Sequence, residues 1–346
     1  MQDILLGLPS WGLVATFAVT ALVVTLVSIK ATSLADAIAD RTGLGEAMVG
    51  AVVLGGATSL SGVVVSVTVA AQGDASFAIS NAVGGIAAQT LFLAIGDAVY
   101  RRANLEHAAA EPATLFQAVL LIILLSLPLC AIAGPEISYL GIHPVSVVMF
   151  LAYLAGLKAA SAVRENPMWV IVRTPLTRYE ADDPTEDRRP LPVIFGLFAA
   201  LVVVMAAAGW VISQLGTSTA VRFGLSTGLV GSLLTAVITS LPELVTTLTA
   251  IRRGALQLAV GGIIGGNTFD TLFLVASDVA YRDGSLYHAA ARTDLYWLGT
   301  GLLMTSILLA GLVLRQRQGF ARIGWESTGL VVIYATALAV QVAAGG

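Results

Sequence analysis

The sequence predicts an all-α membrane protein of ten transmembrane helices, built as two inverted five-helix repeats. Three observations predict it: a composition too apolar for water, ten runs of membrane-spanning length, and a self-match at one fixed offset. Of the 346 residues, 57% are hydrophobic and only 11% are charged, and the mean hydropathy is +0.88. A soluble domain carries roughly 25% charged residues, so this chain has less than half the usual charge to set against water. Lipid is the better solvent for it. The formal net charge of -3 holds no basic excess that could grip nucleic acid. The single cysteine, Cys130, excludes a disulfide framework and any Cys-based metal cluster. His107, His143 and His288 are scattered near segment ends, and a clustered histidine site is not expected.

A spanning helix needs about 20 mostly apolar residues. Runs of that kind occupy 11–29, 44–71, 75–100, 114–133, 144–163, 191–214, 225–251, 255–280, 295–314 and 324–344. Short turns such as Gly134-Pro135-Glu136 separate most of them. One longer polar stretch, 165–190, divides the chain into a first five-helix half (1–164) and a second (191–346). It is short and mixed in charge, and it reads as a solvated connector. Met1-Gln2-Asp3 lacks the basic start of a signal peptide, so the first span is expected to be retained. Basic residues set the orientation. With the N-terminus outside, the inward connections hold fifteen Lys and Arg residues, among them Lys30, Arg101, Arg188 and Arg315; the outward ones hold only Arg222, Arg282 and Arg292. The expected location is the cell membrane, multi-pass, with both termini outside and the central loop in the cytoplasm.

Sliding the chain on itself by 181 residues aligns 43–108 with 224–289 without a gap, and 23 of the 66 positions are identical. Apolar helices match often by chance, so the clusters carry the weight. Thr58-Ser59-Leu60 recurs as Thr239-Ser240-Leu241, and Gly84-Gly85 as Gly265-Gly266. Thr90-Leu91-Phe92-Leu93 recurs as Thr271-Leu272-Phe273-Leu274; Asp97, Tyr100, Arg101 and His107 recur as Asp278, Tyr281, Arg282 and His288. The offset equals five spans, an odd number, so the copies should cross the membrane in opposite senses. Inverted repeats with interrupted helices mark secondary transporters, whose ion site lies at mid-membrane between the copies.

Ionisable residues inside the spans narrow the search. Asp36, Glu46, Asp97 and Asp278 fall near segment ends, where water or headgroups can solvate them. Glu243 and Asp270 lie deep. An acid at that depth costs about 2.5–3.5 kcal/mol to insert, and it persists where it binds something or lines water. In Thr239-Ser240-Leu241-Pro242-Glu243, the proline lacks a donor and clashes with the carbonyl of Ile238, which frees nearby carbonyls. Carbonyls, hydroxyls and a carboxylate make an all-oxygen site of the kind Ca2+ or Na+ prefers. In Gly265-Gly266-Asn267-Thr268-Phe269-Asp270, the glycines are expected to let two helices approach closely, and Asn267 and Asp270 share one face. The first copy breaks the symmetry. Ser61, Gly62, Ile86 and Gln89 stand where the second has Pro242, Glu243, Asn267 and Asp270, leaving at most two negative charges in the site.

The Thr-Ser-Leu-Pro-Glu run followed by Gly-Gly-Asn-Thr-Phe-Asp closely resembles the α-repeats of the sodium/calcium exchanger branch of the cation/Ca2+ antiporters. The resemblance extends to the ten spans, the inverted duplication and the cytoplasmic loop. It implies that Glu243 is a Ca2+ carboxylate, with Thr58 and Thr239 as carbonyl donors, Ser59 and Ser240 as sodium ligands, and Asp270 and Gln89 at the paired polar positions. Asn267 is counted with this ion-binding set. The chain departs from the family where Gly62 replaces the first repeat's acid, and where Gly85 and Gly266 replace serines that supply sodium-site oxygens.

These features make a cation antiporter, exchanging Ca2+ for Na+ or H+ by alternating access, the leading expectation. A diverged antiporter for other ions, Na+/H+ or another divalent cation, is the nearest rival. Proton coupling has a physical basis, since a carboxyl group in low dielectric readily exchanges a proton for a metal ion. A channel would need rings of acids or carbonyls along a pore, and one acid pair in one half of the chain does not supply them. An intramembrane enzyme would have to use Asp97 and Asp278, which read better as caps. No enzymatic activity, no cofactor and no nucleic-acid partner are expected; the partners are inorganic cations and the lipid bilayer, and the chain is expected to act as a monomer.

Overall fold

The computed structural model describes residues 2–42, 55–100, 102–109, 111–172, 174, 177, 189–317, 319 and 323–345. Glu46, Arg101, Arg322, the start of the 44–71 run and most of the 165–190 loop lie outside the described residues. In the first half, α1 (Ser10–Thr42), α2 (Gly55–Ala71), α3 (Ala75–Tyr100), α4 (Pro112–Ala133) and α5 (Pro144–Glu165) follow the apolar runs. In the second half come α6 (Leu191–Phe223), α7 (Thr227–Thr239), α8 (Leu241–Arg253), α9 (Leu256–Ala280), α10 (Arg292–Leu314) and α11 (Trp325–Gly345). Pro112 and Pro144 sit in the first turns of α4 and α5, where a missing N–H costs nothing. Gly224 and Gly254 end α6 and α8 in the left-handed conformation that a side chain would strain.

Eight of these helices are long and apolar enough to cross a membrane, and α7 with α8, bent by 43°, passes the same test as a pair. The second predicted span is described only from Gly55, and its apolar part, Thr58–Ala71, is shorter than a crossing. The membrane-helical class stands; the count of ten is not reached among the described residues.

The bend falls at Ser240, where the sequence places its proline break. Pro242 is in the first turn of α8, and its ring excludes the Ile238 carbonyl from a continuous helix. Just before it, Val230–Thr235 widens into a π-helical turn, which the sequence did not announce. The buried centre of the bundle is α3, closed over from Phe77 to Thr90 and packed on α2, α7, α9, α10 and α11. α1 and α6 pair at the edge and turn side chains such as Val14, Leu22 and Val203 outward, as lipid-facing helices do.

Asp97 and Asp278 do not meet water as expected; they are 0% and 1% exposed. Backbone donors replace the water. Asp97 accepts from the N–H of Leu105 (2.8 Å) and of Gly324 (2.8 Å). Asp278 accepts from the N–H of His143 (2.8 Å) and from the Ser146 hydroxyl (2.7 Å), with the Leu286 backbone beside it. Leu105 and Leu286 are 181 apart, and so are His143 and Gly324. Each copy therefore locks the start of a helix in the opposite half, through equivalent backbone groups. A reciprocal exchange of this kind is what a two-fold relation between halves produces.

Candidate functional site

The break at Ser240 turns Thr239, Ser240 and Glu243 toward α2 and α3 inside the bundle. There Ser59, Gly62, Asn81, Gly85, Gln89, Thr239, Ser240, Glu243, Asp270 and Phe273 line one cavity. Glu243 is 5% exposed and neither of its carboxyl oxygens has a well-formed hydrogen bond; the Thr58 side chain faces it. Asp270 is 1% exposed. Its Oδ2 accepts from Gln89 Nε2 at 2.6 Å, while Oδ1 has no well-formed hydrogen bond and the Ser59 side chain faces the carboxylate. Gln89 also donates to Ser240 Oγ at 3.3 Å. Residues 89 and 270 are each other's equivalents under the 181-residue offset, so the two copies meet at these side chains.

Five buried oxygens here lack well-formed hydrogen bonds: both of Glu243, Asp270 Oδ1, Gln89 Oε1 and Ser59 Oγ. Buried polar atoms without partners are scarce in folded proteins and call for a physical account. Glu243 and Asp270 also lie close enough to repel each other. A hard cation among these oxygens would satisfy the lone pairs and cancel the repulsion. No third acid, histidine or cysteine joins them: among the described residues, no group of three such side chains gathers as a metal centre.

Six of the eight sequence-predicted residues line the cavity, and Thr58 stands beside it, facing Glu243. The exception is Asn267. It is fully buried, but its amide donates to Thr90 Oγ1 at 3.0 Å and it is absent from the cavity wall. Thr239 is on the wall, with its hydroxyl donated back to the Thr235 and Ala236 carbonyls.

The space beside Gly62 is filled. A Cβ built there would lie 2.6 Å from the Phe273 ring, which occupies the room a longer side chain at this position would need. Gly85 and Gly266 differ: their Cβ positions lie 3.5 Å from Ser240 Oγ and 3.6 Å from Gln89 Oε1, ordinary contact distances. The close helix approach expected at Gly265-Gly266 occurs instead in the first copy. A Cβ on Gly84 would fall 2.6 Å from the Ser232 backbone in the π-helical turn, while one on Gly265 would meet only Gln117, at 3.9 Å.

Asn81 was not anticipated. It lines the cavity, donates to Ser66 Oγ (2.9 Å) and the Gly62 carbonyl (3.3 Å), and accepts from Thr235 Oγ1 (2.7 Å). It ties α2, α3 and α7 together. An amide in the middle of an apolar run was the available signal, hidden because its equivalent, Gly262, carries no side chain. His143 and His288, from opposite halves, approach to 5.7 Å between ring centroids, and among the described residues they join no larger cluster of metal-ligating side chains.

Comparison with known proteins agrees with this layout. The model of the sodium/calcium exchanger protein family matches twice, at residues 12–162 and 192–343, once in each half. CaxA of Alkalimonas amylolytica, named as a candidate antiporter, is 28% identical over 291 residues, 83% of this chain and 85% of that protein. The inner membrane protein YrbG of Escherichia coli (strain K12) is 30% identical over 126 residues, 36% of this chain and 38% of its own. Among solved structures, the sodium-calcium exchanger NCX_Mj aligns with a TM-score of 0.60 at 17% identity, covering 94% of this chain and 98% of that one. The H+/Ca2+ exchanger CAX gives 0.64 at 14% identity, covering 95% and 85%. At such identities the likeness is one of fold. The double match covers most of the chain, and this multi-pass membrane protein belongs to the sodium/calcium exchanger protein family.

Proposed function

We propose that the chain is a secondary active antiporter that exchanges Ca2+ for Na+ or H+ by alternating access. The observation that carries this is the cavity between the copies, where Glu243 and Asp270 converge with Ser59, Gln89 and Ser240 and leave five oxygens without well-formed hydrogen bonds. An all-oxygen set with two carboxylates suits a hard cation and offers nothing to a soft one. Glu243 and Asp270 supply the charge, Ser59, Ser240 and Gln89 the neutral oxygens, and the carbonyls freed at the α7–α8 break the remainder. When the cation leaves, protons or sodium ions compensate the two acids, and that competition couples the fluxes. The names of CaxA, NCX_Mj and CAX support the same class of transport.

The Phe273 ring, filling the room a first-repeat acid would need, favours a second reading, in which the cargo is monovalent or another divalent cation. Uptake of radiolabelled Ca2+ into proteoliposomes, driven separately by a Na+ gradient and a pH gradient, separates the two. Saturable uptake under either gradient supports Ca2+ exchange; no uptake under both, with Na+/H+ exchange present, transfers the function to the second reading.

A further inference from the structure

The two copies are not equally closed along their glycine-rich helices. On α9, Gly261, Gly262, Gly265 and Gly266 are partly or fully uncovered, whereas their equivalents Ser80, Asn81, Gly84 and Gly85 on α3 are buried. Distances agree: a Cβ on Gly265 would meet nothing closer than 3.9 Å, against 2.6 Å for its equivalent Gly84. α4 faces this gap with polar groups, Thr114 Oγ1 lying 3.5 Å from a Cβ on Gly261 and the Gln117 amide 3.9 Å from one on Gly265.

α5 supplies a third wall. Tyr153, Leu157, Ala160 and Arg164 recur on one of its faces at helical spacing. The last three join Gln117 around a cavity of about 20 Å3, space for about one water molecule. At its outer end, Arg164 Nε pairs with Glu111 Oε1 at 3.2 Å, with the Arg164 side chain more than half exposed. At the inner end, Tyr153 packs edge-on against Phe269, with 6.2 Å between ring centroids. Its hydroxyl is buried without a hydrogen-bond partner, within electrostatic reach of Asp270. Polar groups thus punctuate the way from a charged mouth to the central acid, with Ala113, Leu157 and Ala160 between them, and Gln117 links the α4–α5 cavity to the bare glycine face of α9.

We propose that this cleft between α4, α5 and α9 is a cation passage, joining the end of the bundle that bears Arg164 to Gln89 and Asp270. The proposal rests on the antiporter reading. A cation moving through it sheds most of its water, because the cavity holds about one molecule, and meets the Gln117 amide oxygen and the Tyr153 hydroxyl before the carboxylate. The Arg164–Glu111 pair neutralises the mouth, so the mouth does not repel a cation as a lone arginine would. The glycines keep the width that side chains would fill.

The test is thiol access. In a Cys130→Ser background, Gln117→Cys and Gly265→Cys are each treated in proteoliposomes with Ag+, a membrane-impermeant, thiol-reactive cation close in size to a dehydrated Ca2+ or Na+, as the charged reagent. Leu298→Cys, at the buried equivalent of Gln117, serves as the control. Labelling of both test positions but not of the control, with transport reduced about tenfold after labelling, supports the passage. Resistance to the charged reagent, with reaction only toward a lipid-soluble maleimide, places the cleft against lipid and overturns it. Should Gly265→Cys fail to insert, Gln117→Cys decides alone. Labelling reads access and not the ion carried, so it stands or falls separately from the Ca2+ assay.

Discussion

Glu243 is buried with neither carboxyl oxygen in a well-formed hydrogen bond, a state that costs free energy unless something charged comes to it. Glu243→Gln keeps the volume but removes one of the two carboxylates that line the cavity among the described residues. Transport in proteoliposomes should fall to background while the purified protein keeps its detergent melting temperature. Asp270 is held differently, by a 2.6 Å bond from Gln89, and an amide at this position cannot trade a proton for a cation. Asp270→Asn is expected to flatten the pH profile of transport more than it lowers the maximal rate; an unchanged profile would make Asp270 structural. Gly62→Glu, the change that would restore the first-repeat acid, meets the Phe273 ring at 2.6 Å from its Cβ and should destabilise the fold. Adding Phe273→Ala makes room. The double variant should regain stability and bind Ca2+ about tenfold more tightly, a gain of about 1.4 kcal/mol, as read by calorimetry against the wild type.

At the scale of elements, the locks built by Asp97 and Asp278 hold connections that composition alone would leave loose. Asp278→Ala strands the buried His143 N–H and leaves the Ser146 hydroxyl only Tyr287 as a partner, and a donor left unmet costs about 1–3 kcal/mol. Asp97→Ala strands the N–H groups of Leu105 and Gly324. Both variants should melt at clearly lower temperature in detergent while retaining measurable ion binding, because neither acid lines the cavity. The π-helical turn at Val230–Thr235 belongs to the same scale. It offers Ser232 to Gly84 at backbone distance, and that contact seats α7 against the buried helix α3.

For the whole molecule, the charge asymmetry predicts the central loop inside the cell and both termini outside. Single cysteines at Asp182 and near the C-terminus, placed in a Cys130→Ser background and labelled with an impermeant maleimide on intact cells, check this. The C-terminal position should react and Asp182→Cys should not, until the membrane is permeabilised. The reverse pattern would invert the topology while leaving the two-fold relation between the halves untouched.

Composition, run length and the 181-residue repeat were enough to determine a duplicated helical membrane protein, because hydrophobic length and periodicity are local properties of a chain. The Thr239–Glu243 break was legible for the same reason: proline acts on its own helix. Burial of Glu243 and Asp270 followed from their depth in the spans; their meeting at one cavity did not. Only the tertiary structure decided what depends on a neighbour from another helix. It joined Gln89 to Asp270, recruited Asn81, moved Asn267 onto Thr90, filled the space beside Gly62 with Phe273, and replaced water at Asp97 and Asp278 with backbone donors. Such contacts pair residues from about 135 to more than 220 positions apart, and no local pattern records which side chain will fill a glycine's space from across the bundle.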